Sequence, residues 1–347
     1  MKVNVEYEIN NECRKKFFIL KVPFEVPAYK IFAKHGMYDK ETFMYENILP
    51  IFHQSTGLNT GPKHYHTTKL NSLLLEDLGA SGYKMEDRNK QLNFEESRTI
   101  LSSLAVFHAA SYHLHRMNPA LIQAVAHETF FTHRDFVKER LEAGLDAWSK
   151  ILQREQISSK FIEIFPTLIG KILKDLPLIL SGNMFEFNVL NHGDLWTSNI
   201  LFKRDECGQI EAAKMIDFQN CRWTSPANDI IIFATTSMKF DIFEGQFEEL
   251  LQGYLRTLNQ TLANLGYSKK YTMEHMKSDL EKAKLFRLVI LGTYLNVTLS
   301  DPDSVVVFEK SNEENLKARN IDKTYNSENY KTTMSKWLKY IDKNELY

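Results

Sequence analysis

Long apolar runs are missing from this chain of 347 residues: no stretch could span a bilayer. The start, Met1-Lys2-Val3-Asn4-Val5-Glu6-Tyr7, alternates polar residues where a secretory signal needs an apolar core. Cysteine is scarce as well. Cys13, Cys207 and Cys221 are odd in number and widely spaced, with no Cys-x-x-Cys pair. That pattern argues against a secreted disulfide framework and a structural zinc site, so the expected compartment is the reducing cytosol, and the sequons at Asn259 and Asn296 are accidental. An excess of one charge is also absent, since 43 Lys and Arg face 44 Asp and Glu for a net charge of −1. Without a basic footprint a nucleic acid is not the expected partner, and a small molecule is. Lys269-Lys270 and the lysines beyond Lys317 read as solvated faces, and no internal repeat or low-complexity segment occurs.

What is present suffices for about two folding units with a substantial core. Val3, Val5, Tyr7 and Ile9 alternate as a strand does, and a turn at Asn10-Asn11 leads to a second apolar run over 17–22, predicting a hairpin. The spacing then predicts a helix over 40–49, stopped by Pro50, with Phe43 toward the sheet and Glu41 free to point along it. Leu73 to Glu76 reads as a strand that breaks at Gly79, and a domain boundary is placed there. Beyond it the periodicity turns helical: residues 95–117, with Leu101, Leu104, His108 and Tyr112 on one stripe, then 130–152, then 161–180 interrupted by Pro166. After Asp229 the chain is expected to be helical to its end, apart from a loop at 300–303.

The chemistry concentrates in His192-Gly193-Asp194-Leu195-Trp196-Thr197-Ser198-Asn199 and Met215-Ile216-Asp217-Phe218-Gln219. Apolar strands flank the first motif at Val189-Leu190-Asn191 and Ile200-Leu201-Phe202. A turn at 204–208 feeds a second strand that ends in Asp217, and a hairpin would set Asp217 beside Asn199. Phosphoryl transfer requires an acceptor hydroxyl held in line and metal ions that screen phosphate charge. Asp194, Asn199 and Asp217 are chemically suited to that task. Their order and spacing resemble the protein-kinase catalytic loop, with Asp-Phe-Gln where protein kinases have Asp-Phe-Gly. His192 reads as structural, turned inward onto backbone. The pairs His64/His66 and His113/His115 have no carboxylate or thiol at ligand spacing and are expected to be structural or exposed rather than metal-binding.

Joined to Leu20-Lys21-Val22-Pro23, to the block from Glu41 to Pro50, to Leu75-Glu76-Asp77-Leu78 and to the block from Leu104 to Ser111, these motifs resemble the ecdysteroid kinase-like, or choline-kinase-like, family over nearly the whole chain. The resemblance implies an α+β, bilobal protein kinase-like fold. A small antiparallel-sheet N-lobe over 1–78 would bind nucleotide, and a large, mainly helical C-lobe over 79–347 would carry the catalytic loop and the acceptor site. It implies ATP and Mg²⁺ as cofactors, Asp194 as the catalytic base, and Asn199 and Asp217 as metal ligands. Lys21 would be the phosphate contact with Glu41 its partner, and Glu76, Asp77 and Leu78 the hinge strand beside adenine. Asp229 would either brace the catalytic loop or act as a plain N-cap.

The resemblance departs at the start, where the family carries a further strand and a phosphate-covering turn and this chain has only Met1. The expectation is therefore a missing nucleotide cover through an incomplete N-terminus. The expected activity is transfer of the γ-phosphate to a hydroxyl of a lipophilic acceptor such as an ecdysteroid-like steroid, with Trp196 and Trp223 flanking it or else packing in the core. The alternatives are a catalytically silent binding protein, and a ketosamine or choline-like kinase. Neither acceptor identity nor oligomeric state is legible in the sequence.

Overall fold

A computed structural model describes residues 1–10, 12–22, 36–68, 72–301 and 324–346. Asn11 of the expected turn, Pro23 and positions 302–303 of the expected loop lie outside them. Strands β1 (Lys2–Ile9) and β2 (Glu12–Lys21) form the hairpin, paired from Lys2 opposite Ile19 to Ile9 opposite Glu12. β2 begins five residues before the apolar run, because its first half is exposed and ladder pairing rather than burial sets its length. With β3 (His64–Tyr65) and β4 (Leu73–Glu76) the hairpin makes a four-stranded sheet in the order β1-β2-β4-β3, with neighbouring strands antiparallel. Lys21 sits opposite Leu73 at its inner end.

Among the described residues between β2 and β3 runs one continuous helical stretch: α1 (Met37–Phe43), a π-turn (Met44–Ile48) and α2 (Leu49–Thr56). Pro50 does not stop it. The Leu49 N–H reaches back to the Met44 carbonyl, so the π-turn ends one helix and Pro50 falls in the first turn of the next, where its absent N–H is not needed. Met44, Tyr45, Ile48 and Phe52 from this stretch are buried, and Phe218 sits between the rings of Tyr45 and Phe107 at 5.6 and 5.7 Å. The Asp217-Phe218 motif is thereby bolted to the sheet-side helices and to the helical region at once.

After β5 (Tyr83–Met85) come α3 (Phe94–Met117), α4 (Pro119–Gln123), α5 (Arg134–Glu155) and α6 (Lys160–Leu180). α3 starts with a full capping box, Asn93 and Glu96 each accepting the other's backbone N–H. Its buried stripe includes Leu101, Leu104 and His108. α6 runs unbroken through both Pro166 and Pro177, against the expected interruption. Both rings lie on the exposed face, so the carbonyls they leave unpaired are open to water.

β6 (Val189–Asn191) pairs with β9 (Arg222–Thr224), and β7 (Ile200–Arg204) with β8 (Ile210–Met215) and β5. Then follow α7 (Ala227–Thr236), α8 (Phe240–Asn264), which packs along α3, α9 (Met273–Lys282), and α10 (Lys284–Ile290), which continues through a second π-turn (Leu291–Leu295) into α11 (Asn296–Thr298). α12 (Glu328–Lys343) closes the described chain. The fold is therefore α+β, a small antiparallel sheet followed by a helical region. Among the described residues no helix is long and apolar enough to cross a membrane.

Candidate active site

Gly193 decides the path of the loop between β6 and β7. Its φ is +80°, and a Cβ there would lie 1.9 Å from the Asn220 carbonyl oxygen, so only glycine fits. Its peptide is held at both ends: the N–H donates to Asp229 Oδ1 at 2.9 Å, and the carbonyl accepts from Arg222 Nη2 at 3.0 Å. Asp229 Oδ2 takes the His192 N–H at 2.6 Å and faces His108 Nε2 at 3.1 Å. Of the two roles expected for Asp229, the plain cap is excluded. Pro226 occupies the N-cap position, and the Asp229 carboxylate is spent on the loop.

His192 turns inward as expected, its Nε2 against the Ile216 carbonyl at 2.9 Å while Nδ1 accepts the Asp194 N–H at 3.3 Å. That pairing requires the neutral ring, and burial lowers its pKa. A group whose folded pKa is depressed contributes stability that is full above its unfolded value, about 6.5. That contribution is lost as pH falls through the folded value. The melting temperature should therefore drop between pH 7 and pH 5, and less steeply in His192→Gln; parallel slopes for both proteins would remove His192 from the acid response.

Asp194 is 8% exposed, with Oδ2 accepting from Asn220 Nδ2 at 3.3 Å and Oδ1 buried without a partner among the described residues. Burial, then the Asp217 charge, pushes its carboxyl up to about 7, against Asn220, Arg222 and Asn199. At that value it can take up a proton near neutrality. Asn199 donates through Nδ2 to the Asp194 carbonyl at 2.8 Å, so its amide oxygen is the atom that could face a cation. The Ile216 N–H donates to the Asn199 carbonyl at 3.0 Å, which sets the Asp217 turn beside Asn199. Asp217 itself lies two residues past the end of β8 with φ +69°, a left-handed conformation uncommon outside glycine, asparagine and aspartate.

Lys21, Glu41 and Asp217, far apart in sequence, share one ion cluster. The Lys21 ammonium lies 2.7 Å from Glu41 Oε2 and 2.5 Å from Asp217 Oδ1, and Gln219 Nε2 donates to Asp217 Oδ2 at 3.1 Å. Burial pulls the lysine pKa down, but Glu41 and then Asp217 more than reverse it, so the ammonium keeps its proton. Glu41 is 1% exposed, and burial lifts its carboxyl to about 7 against the pull of Lys21. One cation thus serves two carboxylates.

The expected hinge narrows to a single group. The Glu76 N–H is taken by the Lys63 carbonyl and the Asp77 N–H by Phe17, whereas the Leu78 N–H has no acceptor among the described residues. Both acidic side chains are occupied too, Glu76 with Lys214 and Ser81, Asp77 with the Gly79 N–H. Trp196 is half-buried beside Asp194, but Trp223 turns away. On β9 the Arg222 side chain reaches the loop, and the alternate residue stacks on His115 at 4.2 Å. Among the described residues no group of three or more histidine, cysteine, aspartate or glutamate side chains gathers as metal ligands, and His113 faces the Tyr267 hydroxyl.

Four groups escaped the sequence reading. Arg222 and Glu128 form a buried ion pair, with Arg222 between the rings of Phe131 and Phe286 at 5.4 and 5.6 Å. Lys40 is buried one residue before Glu41. Tyr294, on the second π-turn, packs against Phe130 at 5.8 Å, and burial followed by the Asp194 charge raises its phenol. Only the Arg222 position, five residues past Asp217, offered a sequence signal. Glu128 and Tyr294 lie on segments without a motif, and the helical period around Lys40 says nothing of its partners.

The sequence model of the ecdysteroid kinase-like family matches residues 1–267. Among curated proteins there is no match. Similar solved structures include an ethanolamine kinase of Plasmodium vivax, 14% identical over 100% of this chain and 84% of that one, with a TM-score of 0.45. A choline kinase of Cryptosporidium parvum is 11% identical over 96% and 84%, with a TM-score of 0.44. An ADP-bound aminoglycoside phosphotransferase is 14% identical over 95% and 94%, with a TM-score of 0.41.

Proposed function

The chain belongs to the ecdysteroid kinase-like family, a family of small-molecule kinases, and from that premise we propose that it transfers the γ-phosphate of ATP to a hydroxyl of a lipophilic small molecule. The observation that carries this reading is the meeting of Lys21, Glu41 and Asp217 in one ion cluster beside the loop that holds Asp194 and Asn199. Residues 1–78 form the nucleotide side in this reading and 79–347 the catalytic and acceptor side, with the Leu78 N–H meeting adenine.

Asp194 acts as the base. Its unpartnered Oδ1 accepts the proton of the acceptor hydroxyl, and Asn220 and the Gly193 peptide hold it in place. Asn199 and Asp217 would hold Mg²⁺ through an amide oxygen and a carboxylate, hard donors suited to that ion. The fit is supported by Lys21, whose cation already lies against the Asp217 carboxylate. When bound, the metal supplies charge neutralisation on the phosphates. Lys21, steered by Glu41, contributes a second positive charge, and rings such as Phe130, Tyr294 and Trp196 offer the acceptor apolar faces. An ecdysteroid-like steroid fits that description.

Two measurements bear on this. Magnesium-dependent ATP consumption, screened against sterols and small alcohols, should rise with an apolar alcohol; nucleotide binding without turnover on any of them would favour a silent binding protein. Lys21→Met should raise the KM for ATP at least about tenfold, the size of one lost charge-assisted hydrogen bond. Its melting temperature should fall only modestly, because Glu41, already raised to about 7, can become neutral rather than remain a buried bare charge. Wild-type ATP kinetics in that variant would make Lys21 an ordinary surface lysine.

A further inference from the structure

Lys40 precedes Glu41 on α1 and is 3% exposed. Its ammonium meets no carboxylate within ion-pair distance among the described residues. Instead it donates to the His127 carbonyl and, at 3.0 Å, to the Cys221 carbonyl. Burying a cation against neutral oxygens is costly, and an apolar side chain would fill the position more cheaply. Burial accordingly lowers its pKa to about 8, with Cys221 and Glu128 raising it and Arg222 lowering it further, and His127 also faces it. A contact kept against that cost calls for a reason.

The two carbonyls supply one, because both belong to the framework that holds the catalytic loop. The Ala126 carbonyl accepts the Trp223 N–H at 3.1 Å. Glu128 accepts from the Phe130 and Phe131 N–H groups at 2.6 and 2.8 Å and pairs with Arg222, whose other nitrogen holds the Gly193 carbonyl. Residues 126–128 therefore tie β9 to the loop before α5, and Lys40 fastens α1 onto the same backbone.

We propose that Lys40 is a positioning residue, a buried clamp that fixes α1, and with it Glu41, in register with the Gly193-Asp194 peptide. The proposal rests on the kinase reading above, since it gives that site its rigidity. Without the ammonium the His127 and Cys221 carbonyls lose this donor, and α1 is left with its apolar packing and its contacts to Lys21. Glu41 then strays from Lys21, and the phosphate contact weakens.

The test uses the full chain with Lys40→Met, which keeps the stem and removes the charge, and Lys40→Arg, which keeps the donors. Hydrogen exchange at residues 40–43 should quicken about tenfold or more in Lys40→Met. Mg-ADP affinity by calorimetry should fall about tenfold, in line with one buried hydrogen bond left unmade. The KM for ATP should rise, the KM for acceptor should hold, and Lys40→Arg should restore both exchange and affinity toward wild type. A Lys40→Met protein that melts earlier yet keeps wild-type exchange over 40–43 and wild-type Mg-ADP affinity would overturn the clamp. Should the wild type bind no Mg-ADP, the kinase reading fails, and the exchange data alone still decide whether Lys40 holds α1.

Discussion

Asp217→Asn is expected to abolish magnesium-dependent nucleotide binding, whereas Asp194→Asn is expected to bind nucleotide normally and lose turnover by roughly 10²- to 10⁴-fold, the usual range for a lost general base. The asymmetry follows from what each carboxylate touches. Asp217 lies against the Lys21 ammonium and beside Asn199, where charge on the nucleotide side is balanced. Asp194 lies instead against Asn220, its own loop and the Tyr294 phenol, away from the Lys21 ammonium. Asparagine is the informative change at position 217 because it tolerates the φ of +69° that alanine would strain, so charge loss is separated from backbone damage. Calorimetry showing equal loss of ATP affinity in both variants would overturn this division of labour.

Gly193→Ala should be the most damaging single methyl in the chain. A left-handed conformation costs a non-glycine residue about 1–2 kcal/mol on its own. Here the added carbon would also sit 1.9 Å from the Asn220 carbonyl, a backbone oxygen that cannot swing aside. Relief requires the loop to lift, which would strain the bonds from Asp229 and Arg222 to the Gly193 peptide. The expected outcome is complete loss of turnover together with a clear fall in melting temperature. Gly208→Ala serves as the control, sharing the positive φ with nothing within 4 Å of the added carbon. If the two alanine variants behave alike, the steric part of the argument is wrong.

Legibility in the sequence followed physical range. Helix α3 could be placed to within one residue of its observed span, Phe94–Met117, because its amphipathic period is long. The Asp194, Asn199 and Asp217 cluster could be anticipated because a hairpin is a local device and its motif spacing survives in the chain. Lys21 and Glu41 were readable only through family resemblance, and the structure sets them against Asp217. Pro50 and Pro166 misled, since propensity reports a missing N–H but not whether the position needs it. A π-turn removes the need at Pro50, and solvent removes it at Pro166. The Arg222–Glu128 pairing and the Lys40 contacts had no signature, although the Arg222 position itself offered one. They join segments about 90 to 180 positions apart through side chains whose partners only the packed fold defines. Trp223 illustrates the same limit, because one residue of strand register decides which face it takes.

The central claim, phosphoryl transfer through Asp194, is tested most directly by incubating the protein with γ-labelled ATP, Mg²⁺ and an ecdysteroid-like sterol panel, and following label into an organic-extractable product. The account predicts labelled sterol phosphate that depends on Mg²⁺ and falls by at least about 10²-fold in Asp194→Asn. Label transfer at the same rate in Asp194→Asn and wild type would contradict it.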